Sequence, residues 1–215
     1  MRLGKGEELE ENFLVTQIPP LLPEKGEKTV NDCFKEEIKK ADRVEIFVAY
    51  CSGDSITEIN EWVESGDIKS ICLILGVYFF IGFRKSLYTL VIQIHTKWQK
   101  MGLGEIRLVD FFPHHGKLYC FYKDGKIFSS IIGSANLSFL ITKKMKKPRQ
   151  YEIGQLTKEP RLLRNHKNHI KQLQSDRLSK TVSFLERYKI VNTIEEMNRE
   201  GKKVTKTKIT YTKNY

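Results

Sequence analysis

The sequence predicts an α/β protein in which helices flank a mixed, largely parallel sheet and a basic, mostly helical extension follows. Strand-like and helix-like segments alternate through the first half of the chain, the order expected for a sheet covered by helices. Two further strand-like segments are joined by a tight-turn dipeptide, and most of the positive charge lies after them. We expect a main domain over residues 1–160 and an extension or linker over residues 161–215.

Hydrophobic spacing predicts the elements of the first half in order. Residues 1–29 are expected to be irregular because prolines interrupt them. Apolar residues three or four positions apart predict helices over 30–41, 55–63 and 86–101. Short apolar runs bounded by polar or glycine residues predict strands over 43–50, 69–76 and 105–110.

The second half begins with a predicted hairpin. Its strands, 116–122 and 126–132, are joined at Asp124-Gly125, a dipeptide that favours a tight turn. A Gly-Ser-Ala-Asn turn then leads into a short helix predicted over 137–144, and another strand is predicted over 151–156. A basic helix is expected over 169–191, and the last fifteen residues are only weakly strand-like.

The positive charge is concentrated in the last third of the chain. Its formal net charge is +11; residues 1–138 carry 17 Lys and Arg against 19 Asp and Glu, and residues 139–215 carry 20 against 7. Such a region makes a polyanion, such as double-stranded DNA, the first partner to consider, and a solvated tail is the plainer alternative. The cations that follow the turn are candidate DNA-binding residues, with a solvated loop as the alternative: Lys143, Lys144, Lys146, Lys147 and Arg149.

Other features restrict the protein class. The four cysteines lack the spacing of a zinc site or a disulfide framework, and the N-terminus has no apolar signal core. The apolar run over 71–83 is shorter than the roughly 20 residues that a membrane helix needs. We expect a cytoplasmic protein with no membrane partner, metal or cofactor. His95, His114, His166 and His169 are interpreted as structural, surface or DNA-facing residues rather than metal ligands.

Polar side chains are predicted to meet at one edge of the sheet. His115 and Lys117 are two residues apart, which places both side chains on one face of a strand. The hairpin returns the chain, so Gly133–Asn136 should lie near His115, and the helix predicted after this turn would add free N–H groups. Either motif alone would be unremarkable in a protein. Together they predict a phosphate-binding site that contains a nucleophile.

A single histidine cannot perform both acid and base roles in one step. Attack on phosphorus requires the neutral imidazole, whereas protonation of the leaving oxygen requires the imidazolium. His115 lies in the one such motif of this chain. A homodimer that brings two copies of His115 together would supply both forms.

The pattern His115-Gly116-Lys117 followed by Gly133-Ser134-Ala135-Asn136 resembles the HxK…GSxN signature of the phospholipase D superfamily. Over roughly residues 12–156 the sequence is more specifically similar to NgoFVII/BfiI-type restriction endonucleases, in segments 75–83, 86–90, 104–126 and 131–138. The resemblance implies a phospholipase D-like fold and metal-independent cleavage of DNA at a dimer interface. It makes His115 the nucleophile and, in the partner subunit, the general acid.

The same resemblance assigns the remaining site residues. Lys117 and Asn136 would bind phosphate, with Ser134 or Ser138 assisting, and Glu152 would orient the histidine. Tyr122 occupies the position at which the full superfamily motif has an aspartate, and this favours a nuclease over a lipase.

The last part of the chain leaves alternatives open. About 55 residues follow residue 160, too few for a separate recognition domain with a good core, so we expect a truncated or split form of a restriction enzyme. The alternatives are a nonspecific phospholipase D-like nuclease, a phospholipid hydrolase or transferase, and a DNA-binding remnant that lacks its recognition domain.

Overall fold

A computed structural model describes residues 12–144, 146–148, 150–183, 187–197 and 203–213. Its helices are α1 (Val30–Lys40), α2 (Gly53–Glu64), α3 (Tyr78–Ile81), α4 (Lys85–Lys100) and α5 (Pro160–Leu173). Its strands are β1 (Asn12–Val15), β2 (Lys28–Thr29), β3 (Arg43–Val48), β4 (Ser70–Leu75), β5 (Gly104–Val109), β6 (Leu118–Lys123), β7 (Lys126–Gly133), β8 (Ile153–Thr157), β9 (Ser179–Thr181), β10 (Arg187–Met197) and β11 (Lys203–Lys213).

Nine of these strands form one mixed sheet, in the order β2-β1-β8-β7-β6-β3-β4-β5-β9. The α/β class is therefore confirmed, but the expectation of a largely parallel sheet is wrong. Parallel pairing joins β1 to β2, β3 to β4 and β4 to β5. The other five pairings are antiparallel, because the β6–β7 hairpin docks on β3 and the chain reverses again into β8 and β9.

Both faces of the sheet are covered, which explains why its central strands are almost continuously apolar. One face packs against α1, α2 and α4, through side chains such as Phe34, Ile59 and Trp98. The other face, which includes Phe47 of β3, packs against α5 through Ile170 and Leu173. The sheet therefore forms the central layer of the molecule.

The region after residue 160 differs from the expected helical extension. The helix predicted over 169–191 is wrong in position, since α5 begins at Pro160 behind the side-chain cap of Glu159 and ends at Leu173. Within the described residues, β9, β10 and β11 follow it, so the extension is not mostly helical. β10 and β11 form a separate two-stranded sheet, consistent with the high content of β-branched residues in β11. The division at residue 160 stays a prediction, and β9 pairs with β5 of the main sheet.

The short helix predicted over 137–144 is also wrong. Leu137 is held against the end of β3 by main-chain bonds, donating to Tyr50 at 3.1 Å and accepting from Ser52 at 2.9 Å. Its apolar neighbours Phe139 and Leu140 are buried in the core, so this segment is anchored in an irregular path rather than coiled into a helix. No helix in the described part of the chain has both the length and the hydropathy needed to cross a membrane.

Candidate active site

His115 and Lys117 touch each other but lie in the irregular segment immediately before β6, so the expectation that both occupy one face of a strand is wrong. The Lys117 Nζ is 2.8 Å from Nδ1 of His115 and donates to the His115 carbonyl oxygen at 2.6 Å. The His115 side chain is exposed, whereas Lys117 is only 6% exposed. Burial lowers the pKa of Lys117, and the nearby charge of Glu152 opposes that shift. An accessible imidazole is thus paired with a cation that the fold holds in place.

The hairpin brings the Gly-Ser-Ala-Asn turn to this pair. β6 and β7 are antiparallel, and Gly133 at the end of β7 donates its N–H to the Lys117 carbonyl oxygen at 3.4 Å. The tight turn expected at Asp124-Gly125 is present, with φ values of 50° and 74°. The predicted proximity of the two motifs is therefore found in the structure.

Glycine is required in both motifs because other chain atoms approach closely. A Cβ on Gly116 would lie 2.7 Å from His114 Cε1 and 2.8 Å from Phe47 Cε1. A Cβ on Gly133 would lie 2.2 Å from the main-chain oxygen of Ile153. These contacts let β6, β7 and β8 converge at one edge of the sheet.

Tyr50 connects Asn136 to His115. Its main-chain N–H donates to Asn136 Oδ1 at 3.0 Å, and this bond fixes the amide of the turn. Its ring lies 6.0 Å from the imidazole of His115, at an interplanar angle of 78°. The sequence analysis placed Tyr50 at the end of a strand but did not identify it as a site residue, because its partners are distant in the sequence.

Glu152 lies beside the turn and is 4% exposed. Its carboxylate accepts hydrogen bonds from the Ser134 hydroxyl and from the side-chain amide of Gln150. Its main chain is joined to Thr16, which donates its N–H at 2.9 Å and accepts the Glu152 N–H at 3.0 Å. Among the contacts of the described residues, none joins Glu152 to His115. The structure thus places this carboxylate near Ser134 and in the electrostatic environment of Lys117.

The two candidate serines have different surroundings. Ser134 is exposed, and its Oγ accepts the N–H of Ile153 at 3.0 Å in addition to donating to Glu152. Ser138 is half-buried, and its main-chain N–H donates to the Asn136 carbonyl oxygen at 2.6 Å. Ser138 also lines a neighbouring cavity.

The adjacent His114 supports the strand end. Its Nδ1 accepts the N–H of Gly116 at 3.0 Å, and its ring packs edge-on against Phe47 with centroids 4.2 Å apart. Burial lowers the pKa of His114, and the charges of His169, His115 and Lys117 lower it further. The neutral ring therefore serves as a hydrogen-bond acceptor that shapes the loop before Lys117.

Tyr122 lies at the other end of β6, away from Lys117. It is 1% exposed, donates its hydroxyl to the buried carboxylate of Glu45 and lies under the Arg43 guanidinium. Gln174 of the segment after α5 also donates to Glu45, at 2.9 Å. The residue that replaces the superfamily aspartate is thus part of a buried polar network.

The predicted DNA-binding cations lie on more than one part of the surface. Lys143 is 86% exposed and approaches Glu61 of α2 at 3.4 Å. Lys146 lines a cavity with Thr16. Lys144 and Lys147 are exposed, and Arg149 lies outside the described residues. Their role in DNA binding stays a prediction.

No group of three or more His, Cys, Asp or Glu side chains in the described ranges is arranged to hold a metal ion. Burial raises the pKa of the Cys33, Cys51 and Cys72 thiols to about 12 each, which disfavours the reactive thiolate. The polar side chains that the structure brings to this edge include those of His115, Lys117, Ser134 and Glu152.

Comparison with known proteins gives the family. The family model of the NgoFVII restriction endonuclease N-terminal PLD domain matches residues 28–187, and no curated protein matches the chain. The phospholipase D family member Nuc from Salmonella typhimurium has a TM-score of 0.54 at 14% identity, covering 80% of this chain and 98% of that chain. NucT from Helicobacter pylori has a TM-score of 0.50 at 15% identity, covering 77% and 95%. Phosphatidylserine synthase from Haemophilus influenzae has a TM-score of 0.53 at 15% identity, covering 81% and 40%.

The solved structures show the fold only, because their sequence identity to this chain is low. The family of the chain is established by the match to the family model. That match extends over most of the chain and includes the edge at which His115, Lys117 and the turn converge. The resemblance to phospholipase D superfamily nucleases is thereby confirmed. The chain belongs to the family of NgoFVII restriction endonuclease N-terminal PLD domains.

Proposed function

We propose that the protein is a DNA endonuclease that hydrolyses phosphodiester bonds without a metal, through a covalent phosphohistidine on His115. The observation that carries this proposal is the exposed imidazole of His115 held 2.8 Å from the buried ammonium of Lys117. An accessible nucleophile next to a fixed cation is the arrangement that attack on an anionic phosphodiester requires. The family relationship and the net charge of +11 favour DNA as the substrate.

In the first step, a nitrogen of neutral His115 attacks phosphorus and forms a P–N bond while the bond to the leaving oxygen breaks. The Lys117 ammonium and the Asn136 amide bind the non-bridging oxygens, where negative charge increases in the transition state. The Ser138 hydroxyl supplies a further donor, or the Ser134 hydroxyl does so after its proton turns from the Glu152 carboxylate to the phosphate. The leaving oxygen takes a proton from the imidazolium of His115 of the partner subunit.

In the second step, water attacks the phosphohistidine. The partner's His115, now neutral, takes the proton from the water, and the P–N bond breaks to release His115 and a phosphate monoester. This sequence returns both histidines to their starting protonation states. It requires a homodimer, because one imidazole cannot be neutral and charged in the same step.

Glu152 has a positioning role in this scheme. Its carboxylate accepts from Ser134 and opposes the desolvation that lowers the pKa of Lys117. We therefore propose that Glu152 keeps Lys117 charged and fixes the position of the Ser134 side chain in the turn. The orientation of His115 by Glu152, which the family resemblance implies, would require a contact formed in the dimer or with substrate.

The test is digestion of supercoiled plasmid by the purified protein in excess EDTA. We expect cleavage by the wild-type protein and none by His115→Ala. Lys117→Ala should reduce the rate by about 100-fold or more, the loss typical of a removed transition-state donor. Lys123→Ala is the matched control, since it removes an exposed lysine at the other end of β6 and should cleave normally.

Each outcome of the digest has a distinct meaning. Discrete fragments would indicate sequence-specific restriction, and a smear would indicate a nonspecific nuclease. Intact plasmid that still binds the protein would indicate a DNA-binding remnant. Full activity of His115→Ala would exclude His115 as the nucleophile, and a monomer in sedimentation that cleaves normally would exclude the shared site.

A further inference from the structure

A cavity of about 630 Å³ lies beside the candidate active site. Its walls come from the segment after β3, the start of α2, the segment from α3 into α4, and β10. His115 and Lys117 do not line it, but Tyr50 and Ser138 do. The cavity is therefore a separate space that shares a wall with the site.

Tyr50 is the shared wall. Its ring lies 6.0 Å from the imidazole of His115, and its main-chain N–H holds the Asn136 amide. Its second ring contact, with Tyr78 at 5.9 Å, is on the cavity wall. A phosphodiester held by His115 and Lys117 would thus have its attached sugar and base within reach of the cavity.

The chemistry of the lining fits a nucleoside. The ring of Tyr50 and the half-buried side chains of Leu87 and Leu90 supply flat or apolar surface, on which a base can pack irrespective of its sequence. The hydroxyl of Ser86 and the exposed guanidinium of Arg84 supply the polar groups. Mostly apolar walls with a few polar groups, and a volume of this size, are typical of small-molecule sites.

We propose that this cavity binds the nucleoside attached to the scissile phosphate, with its base unstacked from the duplex and Arg84 contacting the adjacent phosphate. The inference rests on the proposed function, because it assigns a place to the substrate of the same site. Base recognition outside the helical stack requires the pocket to replace the stacking that the base gives up. Tyr50 and the leucines of α4 provide that replacement.

The test is calorimetric titration with two ligands that contain no cleavable diester. Thymidine 3′,5′-bisphosphate carries a base, and 1,2-dideoxyribose 3′,5′-bisphosphate has the same phosphates without one. We expect the wild-type protein to bind the first about ten-fold more tightly, the contribution of one stacked base. Ser86→Trp, which fills the cavity, should abolish this preference.

Matched variants distinguish binding in the cavity from nonspecific attraction of the bisphosphates to the basic surface. Lys85→Trp places the same side chain in the same exposed turn of α4, outside the cavity lining, and should retain the preference. Arg84→Ala should weaken binding of both bisphosphates by about ten-fold, the size of one charge-assisted contact. Lys85→Ala should weaken it by about two-fold or less. The alanine pair tests the site even where a tryptophan variant does not fold.

The outcomes distinguish this inference from the proposed function. Equal binding of the two bisphosphates by the wild-type protein, or equal effects of Ser86→Trp and Lys85→Trp, would overturn the cavity assignment. Tighter binding of hexyl phosphate than of thymidine bisphosphate would identify an alkyl chain as the occupant and also overturn it. Plasmid cleavage without base preference would leave the nuclease proposal standing, whereas base preference without cleavage would reject only the nuclease chemistry.

Discussion

Replacement of Tyr122 by Phe tests whether this residue is structural. The hydroxyl donates to one oxygen of Glu45, a carboxylate that is buried on the face covered by α5. Arg43 and Gln174 both donate to the other oxygen, so the substitution leaves the first oxygen without its donor. A hydrogen bond to a charged group contributes about 1.5–3 kcal/mol, and we expect the free energy of unfolding to fall by that amount.

The assay is equilibrium unfolding in urea, followed by circular dichroism. With an m-value of about 1–3 kcal/mol/M, the midpoint should fall by about 1 M. Tyr151→Phe removes an exposed hydroxyl and is the matched control, for which we expect no measurable change. DNA cleavage per folded molecule should be the same in Tyr122→Phe and the wild-type protein. An unchanged midpoint, or cleavage lost while the fold is intact, would refute the structural interpretation.

Three further predictions concern the fold and the basic surface. Gly133→Ala should lower the urea midpoint and abolish cleavage, because the added Cβ would lie 2.2 Å from a main-chain oxygen. Gly53→Ala is the control: its Cβ would lie 3.5 Å from a flexible side chain, and its urea midpoint should equal that of the wild-type protein. Burial lowers the pKa of His95, so the folded state favours the neutral ring; the free energy of unfolding should fall as the pH drops through about 6.5, and less steeply in His95→Gln. Replacing both Lys144 and Lys147 with Gln should reduce the slope of log K for DNA against log salt by about 2 if both bind phosphate, and an unchanged slope would place them in solvent.

Most helices and strands between α1 and β8 could be predicted from hydrophobic spacing, because each buries one or both faces in the same sheet. Apart from the β6–β7 hairpin, which its turn predicts, the pairing of the strands could not. Nothing in the alternation of residues 116–132 indicates that the hairpin joins the sheet at β3 instead of β5, and no local pattern indicates that β1, β8 and β9 add further antiparallel pairs. Strand pairing depends on contacts between segments far apart in the chain, and the local pattern of apolar and polar residues does not determine those contacts.

The candidate active site was likewise predictable only in part. The contact between His115 and Lys117 could be expected from their closeness in the sequence, although both residues precede β6 instead of lying on it, and the approach of Gly133 follows from the hairpin. Tyr50 and Thr16 follow the ends of β3 and β1, and only the assembled sheet brings them to the same edge. The irregular path after Asn136 likewise depends on main-chain bonds to Tyr50, so the apolar spacing there favoured a helix that does not form.

The covering of the second sheet face by α5 has a practical consequence for protein fragments. Every residue proposed to act on phosphate precedes Ile153, so a shortened gene ending after β8 would still encode all of them. Its product would expose Phe47, Ile74 and Leu118 to water and leave the edge of β5 open, which favours aggregation. An inactive fragment of this kind would therefore not show that a catalytic residue is missing. It would show that the reactive groups need α5 and β9 for the sheet that holds them to stay folded.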